Sequence, residues 1–183
     1  SEIKRFKGPK GVFCYHMMNA WEDADGLLHF DQCLSNTNAF AFIREPSGIF
    51  LQPREIKGAL TRWTVDPRGP AGEVKESEIG PPGDFPVIPA AKPGRPYDFG
   101  WMLTMNPDLP LPPLAGYNEP VHVPSASPGH AGWLIMIVDQ QVGDNQFHHE
   151  AWILDGDAIA AGTVARIVIP ARLRPQVHGW WVP

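Results

Sequence analysis

The chain has 183 residues, 43% of them hydrophobic and 19% charged, with a formal net charge of -5. That balance predicts one globular domain over 1–183 with a real core and counts against a disordered chain. The acidic surplus, with no Lys/Arg cluster, counts against a nucleic-acid partner. Pro (21) and Gly (18) are high together without any repeat, which points to turns between many short segments and so to an all-β, loop-rich fold.

The first residues, "SEIKRFKGPKG", lack the apolar run of a signal peptide and lack an initiator Met, so the chain reads as the inside of a longer one. Strand-like stretches then follow in order. "GVFCYHMM" (11–18), "GLLHFDQC" (26–33), "GALTRWTVD" (58–66) and "GEVKESEI" (72–79) come first. "GPPGDFPVIPAAKPGRPYDFG" (80–100) carries six prolines and cannot be one central strand or helix along its length. "YDFGWMLTM" (97–105) is the next strand candidate, followed by the Pro-rich loop "NPDLPLPPLAGYNEP" (106–120) and the short strand "EPVHVP" (119–124). The longest apolar run, "WLIMIV" (133–138), lies in the strand "GWLIMIVDQ" (132–140) and is far too short to span a bilayer. "HEAWILD" (149–155), a connector helix over "DGDAIAAG" (155–162), "TVARIVIP" (163–170) and a last strand "VHGWWVP" (177–183) complete the list. The expected arrangement is a meander of antiparallel strands with long Pro-rich loops and short connector helices.

Cys14 and Cys33 give no disulfide framework, which fits a reduced, cytoplasmic setting. The seven histidines are His16, His29, His122, His130, His148, His149 and His178, and no local pair has zinc-site spacing. His148 and His149 are adjacent on a strand and so point to opposite faces, an ordinary arrangement. His16 and His178 each sit among apolar residues, where a satisfied core histidine is the plainer reading. Gly179, beside His178, permits close backbone approach. Two such distant histidines share a metal only if the fold carries both strands to one axis, as a β-propeller does. Imidazole ligands suit Fe(II) and leave positions open for O2.

Several segments match one family in order and approximate spacing. "FKGPKGVFCYHMMNAWEDADG" resembles the segment bearing the third iron histidine of the carotenoid cleavage oxygenases, also called the retinal pigment epithelial membrane protein family. "GDFPVIPAAKPGRPYDFGW" resembles that family's acidic-Phe-Pro and Gly-Arg-Pro-Tyr segment, and the last 33 residues resemble its C-terminal signature. "YHMMNAWED" and "RWTVD" look most like its bacterial lignostilbene dioxygenase branch. The resemblance implies the C-terminal part, about three blades, of a seven-bladed β-propeller with a non-haem Fe(II) held by four histidines. It implies O2-dependent cleavage of a conjugated C=C bond, of a lignostilbene or related phenolic stilbene, into two aromatic aldehydes. It places His16 and His178 as metal ligands and Asp84 behind His16 as the acceptor of its other N–H.

The same resemblance sets three expectations that depart from the pattern. Two iron histidines and the groups that grip the phenol are expected upstream, so the isolated chain is expected to be inactive. Asp84 stands where the family has glutamate and loses roughly 1.5 Å of reach, so a water or a shifted loop is expected to bridge it to His16. Gly129 falls near the place of an acidic residue, so His178 is expected to lack a carboxylate partner, with Glu119 structural. The competing readings are carotenoid or apocarotenoid cleavage by the same chemistry, a propeller hydrolase using Glu22, Asp23 and Asp84, and a non-catalytic module binding an aromatic ligand through Trp21, Trp63, Trp101 and Trp180. No membrane segment and no particular oligomer is predicted; the expected partners are a small aromatic substrate and O2.

Overall fold

A computed structural model describes residues 3–36, 55, 57–104, 115–144, 146–174 and 177–182. The described chain is all-β, with a 3-10 turn at Ile159–Ala161, and it divides into two compact units. The strands are β1 (Phe13–Glu22), β2 (Leu28–Ser35), β3 (Gly58–Val65), β4 (Lys75–Gly80), β5 (Gly83–Val87), β6 (Trp101–Thr104), β7 (Ala115–Tyr117), β8 (Val121–Val123), β9 (Trp133–Gly143), β10 (Gln146–Asp155) and β11 (Thr163–Ile169). β5 and β6 pair as a two-stranded sheet.

The first unit comprises Ser1–Pro86, Lys92–Asp98 and Leu103–Pro107 and is built on a four-stranded antiparallel sheet in the order β1-β2-β3-β4. Consecutive strands are neighbours, the plan of one propeller blade. Asp23 makes the β1–β2 turn: its Oδ1 accepts the N–H groups of Asp25 (3.0 Å) and Leu27 (2.9 Å). Its other oxygen, Oδ2, accepts from His29 Nε2 at 2.7 Å. Both oxygens of that carboxylate are therefore hydrogen-bonded, one within the turn and one to His29 on β2.

The core of this sheet buries Met18, Trp21, Cys33, Leu34, Ala59, Leu60 and Val65. Asp31 is buried with them, 0% exposed, and is fully compensated. Arg62 grips it with two parallel bonds, Nε–Oδ1 2.7 Å and Nη2–Oδ2 2.8 Å, and the Tyr97 hydroxyl donates to Oδ2. Asp31 holds the Arg62 guanidinium above its usual range, and burial followed by the Asp31 bond pushes the Tyr97 phenol well up. The Arg62 guanidinium also stacks 4.6 Å over Trp21. The loop 92–98, which the proline count marks as irregular, is ordered by this network together with Asn19. The Asn19 amide donates to Arg95 O (2.8 Å), and its oxygen accepts from Gly94 N (3.1 Å).

The second unit comprises Val87–Ala91, Phe99–Met102 and Asp108–Pro183, with a five-stranded sheet in the order β11-β10-β9-β7, and β8 also pairing β9. β9 is the spine. It runs antiparallel to β10 from Trp133↔Asp155 to Gln141↔Phe147, and its Val138 (0% exposed) and Leu134 (3%) anchor the core. β10 pairs β11 from His149↔Ile169 onward, and Arg166 lies 4.4 Å over its register partner Trp152.

Most expected strands are present within a few residues. The run 155–162 shrinks to one 3-10 turn, Ile159–Ala161. The Pro-rich stretch 80–100 is, as expected, no continuous strand; the short β5 forms inside it, Pro86 falling near the end of a strand in a two-stranded sheet, where a missing N–H costs little. One expectation needs correction. The run 177–183 is not a strand: its described residues 177–182 are irregular. The backbone bond described there is Glu119 N–H to Val177 O at 3.3 Å, and one bond does not make a ladder.

Candidate metal centre

His16 sits where β1 departs from regular pairing. Cys14 is opposite Leu34 and Met17 opposite Gln32, with a register shift between them, so the bulge falls on residues 15 and 16. A bulge re-aims a side chain that regular alternation would point elsewhere. Nδ1 of His16 lies 2.8 Å from Asp84 Oδ1, and both side chains are half-buried (22% and 29% exposed). A carboxylate only accepts, so Nδ1 carries the proton and the lone pair of the neutral ring is at Nε2.

Of the two expected aids, a water or a shifted loop, the water is not needed. Asp84 reaches His16 directly because the backbone beyond it turns sharply: Phe85 has a φ of 53°, in the left-handed region. That turn brings the Phe85 N–H onto Asp84 Oδ1 at 2.9 Å and lays the Phe85 ring 4.9 Å from the His16 ring. One carboxylate oxygen thus fixes both its own loop and the imidazole. Burial, and next the Asp84 charge, push the neighbouring Cys14 thiol up, so it stays protonated beside the histidine.

The second unit repeats the device with different parts. Nδ1 of His178 lies 2.9 Å from Glu119 Oε2. The expectation that His178 lacks a carboxylate, and that Glu119 is structural, is therefore corrected. The acid comes from the segment before β8, while Gly129 sits in a turn at φ 80° with nothing within 4 Å of its Cβ position. Glu119 is placed by its own N–H bond to Val177 O and by the adjoining Asn118 N–H bond to Ile137 O at 3.1 Å. The close approach expected of Gly179 is present: a Cβ there would lie 2.6 Å from Val121 Cγ2. A cavity of about 180 Å³ opens beside His178, walled by Met136, Ile137, Trp180 and Trp181.

The remaining histidines are otherwise engaged. His149, 6% exposed, bonds Asp139 at 2.6 Å through Nδ1 and accepts Leu173 N–H at 3.2 Å through Nε2. His148 faces Glu150 at 3.2 Å. The Trp152 N–H, and after it His148, hold Glu150 below the usual carboxylate range. His29 lies between Asp23 and Thr64. His122 and His130 flank the turn before β9.

His16 and His178 fit a metal ion by the chemistry of their donors. In each, Nδ1 faces a carboxylate, which leaves Nε2 as the atom that would bind the ion, the arrangement usual behind metal-bound histidine. The residue that sequence reasoning missed is Glu119. Its position beside "PVHVP" carries no local signal, since its partner is 59 residues away.

Antiparallel sheets of propeller type define the class, and similarity to known proteins gives the family. The chain belongs to the family described as RPE65, retinal pigment epithelial membrane protein, which it matches over residues 1–183. It is 28% identical to lignostilbene-alpha,beta-dioxygenase isozyme III of Sphingomonas paucimobilis, over 98% of this chain and 43% of that protein. It is 25% identical to isoeugenol monooxygenase of Pseudomonas putida, again over 98% of this chain and 43% of the relative. Its fold superposes on the crystal structure of Pseudomonas brassicacearum lignostilbene dioxygenase with a TM-score of 0.81 at 28% identity, covering 97% of this chain and 43% of that one. The chain therefore spans less than half the length of the relatives it matches. No helix among the described residues is long and apolar enough to cross a membrane.

Proposed function

We propose that the protein containing this chain is a non-haem Fe(II) dioxygenase that cleaves the conjugated C=C bond of a lignostilbene or related phenolic stilbene. One alkene and one O2 give two aromatic aldehydes, each carbonyl oxygen coming from O2, so atoms and electrons balance without another reductant. The observation that carries the reading is the pair of imidazoles, His16 and His178, each with Nδ1–H held by a carboxylate.

When bound, the iron supplies the activation of O2. The chain's own part is to present ligand atoms of fixed tautomer and direction. Asp84 and Glu119 keep the protons on Nδ1 and so keep Nε2 basic. Phe85 packs against the His16 ring and limits its rotation. The family resemblance calls for four histidines, and this chain contributes two; the others and the phenol-gripping groups belong to the rest of the protein. The isolated 183 residues are accordingly inactive in this proposal. A phenolic substrate is favoured over a carotenoid because the relatives matched include proteins named for lignostilbene, isoeugenol and resveratrol.

The test measures iron content and stilbene cleavage in the full-length protein, in its His16→Ala and His178→Ala variants, and in the isolated chain. Loss of iron and turnover in each variant is expected. Stoichiometric iron with turnover in the isolated chain would overturn the division of ligands. Unchanged turnover in either alanine variant would overturn the centre itself.

A further inference from the structure

The carboxylate behind His16 is carried on a ribbon that is weak by itself. Asp84 and Phe85 lie in β5, which pairs with β6 in a two-stranded sheet. Two strands without a third are marginal in water. The ribbon is also strained at Phe85, whose φ of 53° persists only where the surroundings impose it. β1 gives His16 little help. Its ladder to β2 shifts register between Cys14 and Met17 and again between Met17 and Asn19, so His16 sits in an irregular stretch. Ribbon and ring need a further hold.

The connection from β5 to β6 supplies two grips on the sheet of the first unit. Asn19, 7% exposed, makes the first. Its Nδ2 donates to Arg95 O at 2.8 Å and to Lys92 O at 3.4 Å, and its Oδ1 accepts from Gly94 N–H at 3.1 Å. Two carbonyls at one end and an N–H at the other settle which way the carboxamide points. Asp31 makes the second grip. It is the register partner of Asn19 across the β1–β2 ladder, is 0% exposed, and accepts from the Tyr97 hydroxyl. The Tyr97 ring meets Trp21 edge-on at 5.4 Å. One cross-strand pair thus fastens the loop 92–97 at both ends, and its β1 member is three residues from His16 on the same strand. On the other side of β5, Pro81 O accepts the Leu60 N–H at 3.1 Å. Asp84 is therefore held between anchors at Pro81 and at 92–97, each made to a strand of the same sheet.

We propose that Asn19 is a positioning residue for the metal centre, a role that rests on His16 being an iron ligand: with Asp31 it latches the loop 92–97 and so keeps Asp84 and Phe85 against His16. Opening the latch lets the ribbon lift, the Phe85 backbone relax and the bond between Asp84 and His16 Nδ1 break. A neutral hydrogen bond shifts an equilibrium about fivefold, so losing the two shorter Asn19 bonds makes opening about 25-fold more frequent. Iron enters and leaves by the open form alike. The latch therefore sets the rate of exchange and changes the equilibrium affinity far less.

The test is amide hydrogen exchange on the metal-free full-length protein, wild type against Asn19→Ala. The Phe85 N–H bonds Asp84 and not Asn19. This N–H and the amides pairing β5 with β6 should lose about 25-fold in protection while those of β2 and β3 keep theirs. Unchanged protection in the ribbon overturns the latch. An equal loss in β2 and β3 does so too, because a merely structural Asn19 would loosen the whole sheet. If Asn19→Ala does not fold, Tyr97→Phe frees the same loop from its own side; the ribbon should then lose about tenfold or more, and no loss refutes the proposal. Chelator-driven release from the iron-loaded protein is the second measurement, expected about 25-fold faster in Asn19→Ala. His16→Ala separates the two ways of failing. Iron retained in that variant sinks the reading of His16 as a ligand. Iron lost there, with release unchanged in Asn19→Ala, sinks the positioning role alone.

Discussion

Replacing Asp84 by Ala separates what that carboxylate does for stability from what it does for the metal centre. Its Oδ1 accepts two hydrogen bonds, from His16 Nδ1 at 2.8 Å and from Phe85 N–H at 2.9 Å. A bond to a charged acceptor contributes about 1.5–3 kcal/mol, and at 29% exposure the lower figure applies, so the two contribute about 3 kcal/mol. Against that stands Phe85 at φ 53°, whose left-handed backbone costs about 1–3 kcal/mol and relaxes once the loop is freed. The net loss of folding stability is thus only about 1 kcal/mol. Metal binding has no such offset. Removing the partner of a ligating histidine costs about 10–100-fold in affinity, and here the variant also frees the His16 tautomer. Asp84→Asn retains an acceptor oxygen but not the charge, and should fall between. The assay is chelator competition for iron in the full-length protein, run beside urea unfolding of the same preparations. The reasoning fails if iron affinity in Asp84→Ala is unchanged, or if its loss only tracks a large loss of stability.

Two further outcomes follow from the first unit. Asp31→Ala leaves Arg62 and the Tyr97 hydroxyl facing a vacated buried site and should cost about 3–5 kcal/mol in urea unfolding. Tyr97→Phe leaves the Asp31–Arg62 pair intact and should cost about 1.5–3 kcal/mol; a reversed order would refute the assignment. The Asp23 carboxyl is held below its usual range, chiefly by the His29 bond, so its contribution is present above the unfolded carboxylate value and is lost as pH falls below about 4. The gap in unfolding midpoint between wild type and Asp23→Asn should accordingly shrink between pH 6 and pH 3; a gap that stays constant excludes this role.

How much of this was legible beforehand depended on how far each cause reached along the chain. β3 was readable from eight residues, because a run rich in Leu60, Trp63, Val65 and threonines, bounded by Gly58 and Asp66, carries its own evidence. β5 was not singled out: six prolines excluded one long strand over 80–100, and nothing local marked the five residues that pair in a two-stranded sheet. His16 and His178 look like ordinary core histidines one at a time, and it was the order of motifs, not composition or spacing, that singled them out. Even that order misplaced the second carboxylate. It pointed to Gly129 because the relevant acid was sought before the "GWL" strand, whereas Glu119 reaches His178 through the bond between its own N–H and Val177 O. Asp84 lies beside His16 as the motif order implied, and of the two routes expected, a water or a shifted loop, the contact is direct with the loop turned at Phe85. A side chain one methylene short was expected to need help, and the help is backbone: Phe85 adopts a conformation that few non-glycine residues take, and the loop closes the gap. In both cases the histidine is visible in the sequence, whereas its carboxylate neighbour was legible for His16 and not for His178. Ligand identity is local chemistry, whereas the carboxylate behind it is set by how distant backbone segments are pinned together.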